Sequence, residues 1–191
     1  MSSNIYTAWA LADAGYRSLL FDYRGFGHSQ AFAIDKQRLY YEEFATDLQA
    51  APHDQVGILG LSMGAIVGSE VAAKDKPAFL ITEGYAGNLP AIVAHFKTVN
   101  DDIVTLPTEA TAYPRIAPQV NCPWLLIAGT KDENTPLADS LAVIQAARRR
   151  QRRQVLTVDC GHLGVQDKLT EKFFAEGYVR AIGRFLAGGK I

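Results

Sequence analysis

At 191 residues the chain suits one folded domain, and folding at that size removes about 70% of the unfolded chain's surface from water. Hydrophobic residues make up 48%, charged residues 20%, and the net charge is −1. These values exclude a disordered or membrane-spanning chain and give no overall charge with which to attract nucleic acid.

The first stretch, "MSSNIYTAWALADAGY", has no basic leader and is interrupted by Asp13. It therefore predicts an amphipathic helix over 4–15 rather than a signal peptide, and a cytoplasmic location is the default expectation. Next comes "YRSLLFDY" (16–23), the first of five short apolar runs. The others are "QVGILG" (55–60), "PAFLIT" (77–82), "PWLLIAG" (123–129) and "QVLTVD" (154–159). None alternates polar with apolar, which predicts strands buried on both faces of a parallel sheet. Helical patterns lie between and after them: Tyr40, Phe44 and Leu48 are spaced i, i+4, i+8, as are Phe174, Tyr178 and Ile182. The alternation predicts an α/β fold with helices flanking a mostly parallel sheet of about five strands, in a single domain over 1–191.

Two segments depart from this rhythm. Residues 88–119 contain Pro90, Pro107, Pro114 and Pro118 and exceed an ordinary strand-to-helix connection. They are expected to hold a short helix near 89–98 followed by irregular chain, a candidate cap or lid insertion. The basic run "ARRRQRRQ" (147–154) is read as the solvated end of a helix, where cations suit the C-terminal dipole, rather than as a nucleic-acid or membrane patch. Cys122 precedes one predicted strand and Cys160 follows its neighbour. That places the sulfurs about one strand length (~17 Å) apart, beyond disulfide reach, so free thiols and a reducing compartment are expected.

The chemistry centres on Gly60-Leu61-Ser62-Met63-Gly64, between a predicted strand and the helical run "MGAIVGSEVAAK". A serine on a sharp strand-to-helix turn exposes its hydroxyl, and the crowded backbone favours glycine two positions to either side. Ala65 and Gly68 keep the following helix slim against the sheet. The same turn places the Met63 N–H at a helix N-terminus, where it can stabilise developing negative charge.

A serine nucleophile needs a base and an orienting acid, and in this motif the chain order is Ser, acid, His. Asp132 in "TKDENTP" and His162 in "CGHLG" each follow a predicted strand, at the edge of the sheet that carries Ser62. His162 would take the serine proton, and Asp132 would fix the imidazole tautomer. Glu83, Glu133 and Asp159 are alternative acids. Asp132 is favoured because Pro136 starts the next helix and fixes its loop. His28, His53 and His95 are read as surface or structural imidazoles.

Taken together, "LADAGYRSLLFDYRGFGHSQ" (11–30), "GLSMG", "GTKDENTP" and "CGH" resemble the α/β-hydrolase superfamily. The similarity is to its small esterase, lysophospholipase and serine-aminopeptidase-like members. It spans nearly the whole chain and implies ester cleavage through an acyl-enzyme on Ser62, with the triad Ser62, Asp132 and His162. It implies no metal or organic cofactor. A serine at the elbow argues against the dehalogenase and epoxide hydrolase branches, which place Asp there. The implied partner is a small acyl ester, with no nucleic acid and no membrane. Thioesterase or aminopeptidase activity, and a non-catalytic scaffold or binding protein of the same fold, are the rival readings.

The resemblance is incomplete at the front. Family members place several strands before the helix at 4–15, and the third lies between the run at 17–22 and the run at 55–60. Its loop supplies the second oxyanion N–H. Strands pair at about 4.8 Å, so an empty slot would leave two rows of backbone groups unpaired. Either the neighbours close up, or another copy covers the edge, or the chain is one piece of a longer protein. Exposed edges recruit partners, so a homo-oligomer is the leaning. Loss of one oxyanion donor costs about 2.7–4 kcal/mol, which predicts a low activity. The loop "RGFGHS" is the candidate substitute donor.

Overall fold

Four of the five apolar runs pair as strands. In the computed structural model, which describes residues 4–35, 37–40, 42–50, 56–100 and 104–191, β1 (Ile58–Leu61), β2 (Leu80–Glu83), β3 (Trp124–Gly129) and β4 (Arg153–Val158) form a fully parallel sheet. The strands lie side by side in chain order, with Leu61 opposite Glu83, Glu83 opposite Ile127 and Gly129 opposite Val158.

Helices cover both faces, which is why the strands show no polar alternation. Leu80, Trp124 and Leu126 face a core shared with Phe44 of α2 (Glu42–Gln49) and with Ala65, Ile66, Val67 and Val71 of α3 (Met63–Lys74). On the opposite face Ile81, Leu125 and Ile127 meet Tyr178, Val179, Ile182 and Phe185 of α7 (Glu176–Leu186). The buried Trp124 indole donates to Thr82 Oγ1 at 2.9 Å, so its one polar atom is satisfied inside the sheet. The N-terminal helix α1 (Ile5–Asp13) lies against α7 and buries Thr7, with Tyr6 and Trp9 exposed. Tyr40 and Phe174 precede the helices their spacing suggested, which begin at Glu42 and Glu176.

The fifth run is a correction. Residues 16–23 form no strand, and Leu19 is 67% exposed where burial on both faces was expected. A strand persists only when a neighbour accepts and donates its ladder bonds, and β1 is the edge of the observed sheet. The segment is instead held at its far end, where Tyr23 stacks on Phe44 at 4.7 Å and Arg24 pairs with Asp47 at 2.6 Å. Residues 16–23 form no ladder with β1.

The 88–119 segment opens with α4 (Leu89–Asn100) and continues through tight helical turns at Thr108–Arg115 and Ala117–Gln119. Tyr113 is buried in the core beside Ala110 and Ala117, and its hydroxyl lies 3.0 Å from Ser69 Oγ of α3. The basic run also differs from its reading. The helix α5 (Leu137–Gln145) stops before it and Arg148, Arg149 and Arg150 are exposed, but Arg152 lies over the Phe185 ring and Arg153 over Trp124. Their guanidinium groups meet one core ring each, a contact that a count of positive charges does not reveal. Cys122 and Cys160 are free and buried. Among the described residues no helix is long and apolar enough to cross a membrane.

Candidate active site

β1 runs into α3 with a single residue, Ser62, between them. Its backbone sits at φ 51°, ψ −115°, a strained conformation costing about 1–3 kcal/mol that persists only where the surroundings impose it. They do so from two sides: the Ser62 N–H donates to the Glu83 carbonyl at 2.8 Å, and the Ser62 carbonyl accepts from the Ala65 N–H at 2.8 Å. The turn is so tight that a Cβ on Gly60 would lie 2.2 Å from the Gly64 carbonyl oxygen. A Cβ on Gly64 would meet nothing within 4 Å. The pair is therefore not symmetric, since only Gly60 is required for its lack of a side chain.

The loops after β3 and β4 carry Asp132 and His162. They approach closely because Gly129 has no side chain, and a Cβ there would lie 2.5 Å from the Cys160 carbonyl oxygen. The Lys131 N–H then donates to that same carbonyl at 3.0 Å, tying the two loops together. Across this join, His162 Nδ1 is 2.9 Å from Asp132 Oδ2, and His162 Nε2 is 2.9 Å from Ser62 Oγ. The three residues singled out from sequence thus form one chain of hydrogen bonds at the C-terminal edge of the sheet. The His162 side chain is 24% exposed, open to a ligand on one side, while that of Asp132 is 1% exposed.

Asp132 is held from all sides. Its Oδ1 accepts the N–H groups of Asn134 at 3.0 Å and Thr135 at 2.9 Å, and its Oδ2 accepts the Thr135 hydroxyl at 2.6 Å as well as facing His162. Burial pushes this carboxyl up, but the hydrogen bonds from His162 and Thr135 outweigh it and hold the group below the usual aspartate range. Asp132 is therefore an anion at neutral pH, suited to fixing the proton on Nδ1 and leaving Nε2 free to accept one. Sequence reasoning passed over Thr135, whose hydroxyl also lies 3.4 Å from His162 Nδ1. The available signal was the Asp itself, which in a loop tends to bond the backbone N–H two residues on, here that of Asn134.

The alternatives occupy other places. Glu83 is buried at the end of β2 and directs its carboxyl to the start of α6 (Val165–Lys168), with the Val165 N–H at 3.2 Å and Gln166 Nε2 at 3.5 Å. Asp159 is exposed and paired with Lys131 at 2.9 Å, and Glu133 is exposed. His28 is exposed, and His95 is half-buried on α4 beside Phe96. His53 lies outside the described residues.

Met63 is the first residue of α3, so its N–H belongs to the unpaired first turn next to Ser62. The "RGFGHS" loop folds on itself through Gly25 N–H to Gln30 O and Phe26 N–H to Tyr23 O. Arg24 and Ser29 line a cleft with Leu19, Phe21 and Asp47, and among the described residues no hydrogen bond joins this loop to Ser62.

A parallel sheet flanked on both faces, a strained serine between strand and helix, and acid and histidine on the loops after β3 and β4 define a known architecture, and the comparisons agree. A family model described as "alpha/beta hydrolase fold" matches residues 2–80. Several solved structures match over nearly the whole of this chain. An esterase, Pf2001, from Pyrococcus furiosus is 19% identical with a TM-score of 0.74, covering 98% of this chain and 76% of that one. The chain has the α/β-hydrolase fold. An esterase, EaEST, from Exiguobacterium antarcticum is 18% identical with a TM-score of 0.68, over 97% of this chain and 87% of that one. A protein named putative non-heme bromoperoxidase BpoC, from Mycobacterium tuberculosis H37Rv, is 18% identical with a TM-score of 0.68, over 98% and 88%. No curated protein matches the chain. Within this α/β-hydrolase fold, the observed sheet has four strands against the five or so expected.

Proposed function

We propose that the protein is a serine hydrolase that cleaves small carboxylic esters through an acyl-enzyme on Ser62. The observation that carries this reading is the unbroken chain from Ser62 Oγ through His162 to the buried Asp132, with 2.9 Å at both links. His162 Nε2 accepts the hydroxyl proton as Ser62 Oγ bonds to the acyl carbon. The carbonyl oxygen takes the negative charge beside the Met63 N–H and the positive end of α3. As that charge returns to the carbonyl, the bond to the alcohol breaks and His162 gives its proton to the leaving oxygen. Water repeats both steps on the acyl-enzyme, releasing the acid and restoring Ser62. The esterase names of the relatives with this fold agree with such a substrate. Thioesters and aminoacyl amides pass through the same tetrahedral state, and matched substrates would separate them.

One observation favours a second reading, a non-catalytic scaffold: in the "RGFGHS" loop the N–H groups of Arg24, Gly25, Phe26 and Ser29 are already bonded to Asp47, Gln30, Tyr23 and Phe26 rather than offered to a ligand. A fluorophosphonate probe separates the two. The hydrolase reading expects label on Ser62 and a p-nitrophenyl acetate rate that Ser62→Ala abolishes. Absence of label, with hydrolysis unaffected by Ser62→Ala, would refute it.

A further inference from the structure

Glu83 is a buried acid that the chain of Ser62, His162 and Asp132 does not use. Only 1% of the residue is exposed. Its backbone carbonyl accepts the Ser62 N–H, and its side chain reaches across the sheet edge to the loop that carries His162. That loop is strained. Leu163, next to His162, has φ +55°, and such a conformation in a residue with a bulky side chain must be imposed from outside. The Glu83 carboxyl does this two residues later, accepting the Val165 N–H at 3.2 Å and Gln166 Nε2 at 3.5 Å. Gln166 is in turn fixed by the Thr7 hydroxyl of α1 at 2.7 Å.

We propose that Glu83 is a positioning residue whose carboxyl group pins the His162 turn and, once ionised, places a second negative charge near the imidazole. The role rests on the hydrolase reading of the site. The titratable groups around Glu83 are His162 and Cys160 on the loop after β4, and Tyr178 on α7. The Tyr178 hydroxyl is fully buried near the carboxyl but makes no hydrogen bond of good geometry. Burial raises the Glu83 carboxyl above the usual glutamate range, against the opposing effect of Val165, Gln166, Tyr178 and His162. Asp132 moves the other way, so the two acids near one histidine are in unlike environments.

The test compares Glu83→Gln and Glu83→Ala with the wild type by two measurements: amide hydrogen exchange, and the rate of fluorophosphonate labelling against pH. The alanine variant removes the anchor, so exchange at 163–166 is expected to rise about tenfold or more while β3 stays unchanged, and labelling is expected to slow by about tenfold. The glutamine variant keeps an oxygen for the Val165 N–H but carries no charge. Its exchange should stay near that of the wild type, while the acid limb of its labelling profile moves to lower pH. The proposal is overturned if Glu83→Ala leaves both exchange and labelling within about twofold of wild type, and its electrostatic part is overturned if the glutamine limb does not move. A wild-type chain that takes no label refutes the hydrolase reading instead, and the exchange measurement then decides by itself whether Glu83 holds the turn.

Discussion

Replacing Asp132 by Asn tests the site through a single proton. The wild-type carboxylate accepts four hydrogen bonds, two at Oδ1 from backbone N–H groups and two at Oδ2 from Thr135 and His162. An asparagine must turn its oxygen towards the two backbone donors, which cannot be changed, so its NH2 group faces His162 Nδ1. Nδ1 then has to accept, the ring proton moves to Nε2, and Nε2 lies 2.9 Å from Ser62 Oγ with no lone pair to offer. The geometry survives but the base is lost. Inverting the tautomer in this way costs about four orders of magnitude in turnover, equal to about 5.5 kcal/mol of transition-state stabilisation. The loss of stability is smaller, about 1–3 kcal/mol, since only charge-assisted bonds are weakened. The assay is the rate of fluorophosphonate labelling and p-nitrophenyl acetate hydrolysis, with thermal unfolding as the control. Retention of more than about a tenth of the wild-type rate by a folded Asp132→Asn variant would refute the assigned roles of Asp132 and His162.

Stability should follow pH in opposite senses at the two buried acids. Asp132 has a folded-state value below its ordinary 3.8, so its contribution is complete above that pH and is lost as pH falls through the depressed value. The melting-temperature advantage of wild type over Asp132→Asn should shrink in that acid range. Glu83 is raised above its ordinary 4.5, so its contribution is complete below that pH and is lost as pH rises through the raised value. Wild type should therefore lose ground to Glu83→Gln over that interval, and a constant difference would contradict the shift. At the elbow, Gly60→Ala forces a carbon to within 2.2 Å of the Gly64 carbonyl oxygen and should prevent folding or severely lower the melting temperature. Gly64→Ala meets no atom and should be neutral or stabilising by up to about 1 kcal/mol, a contrast read directly by thermal unfolding. Finally, His162→Ala should abolish labelling, whereas His28→Ala and His95→Ala should leave its rate within about twofold.

The local code was strong at the elbow. A glycine two residues before a serine, an apolar run before it and a slim helix after it leave the backbone few choices, so the position and type of this turn were legible from Gly60 to Gly64. The chain order of Asp132 and His162 was legible too, because each follows an apolar run of a parallel sheet, and parallel strands send their following loops to the same edge. Residues 16–23 were not legible. Their composition is that of a buried strand, but a strand is defined by a neighbour, and composition says nothing about whether one is present. The basic run was legible in part: Arg148, Arg149 and Arg150 are exposed past the end of α5, but only the positions of Phe185 and Trp124 decide that the guanidinium groups of Arg152 and Arg153 lie over rings. Thr135 and Glu83 belong to the same class. What each does depends on which atoms lie within 3.5 Å across the sheet edge, and those neighbours come from segments tens of residues away. Sequence by itself determined the periodicity, the turn chemistry and the order of the reactive groups, because these are properties of adjacent residues. Only the tertiary structure decided which strands found partners and which polar groups are held by others, because hydrogen bonding and burial are properties of the surroundings a residue acquires on folding.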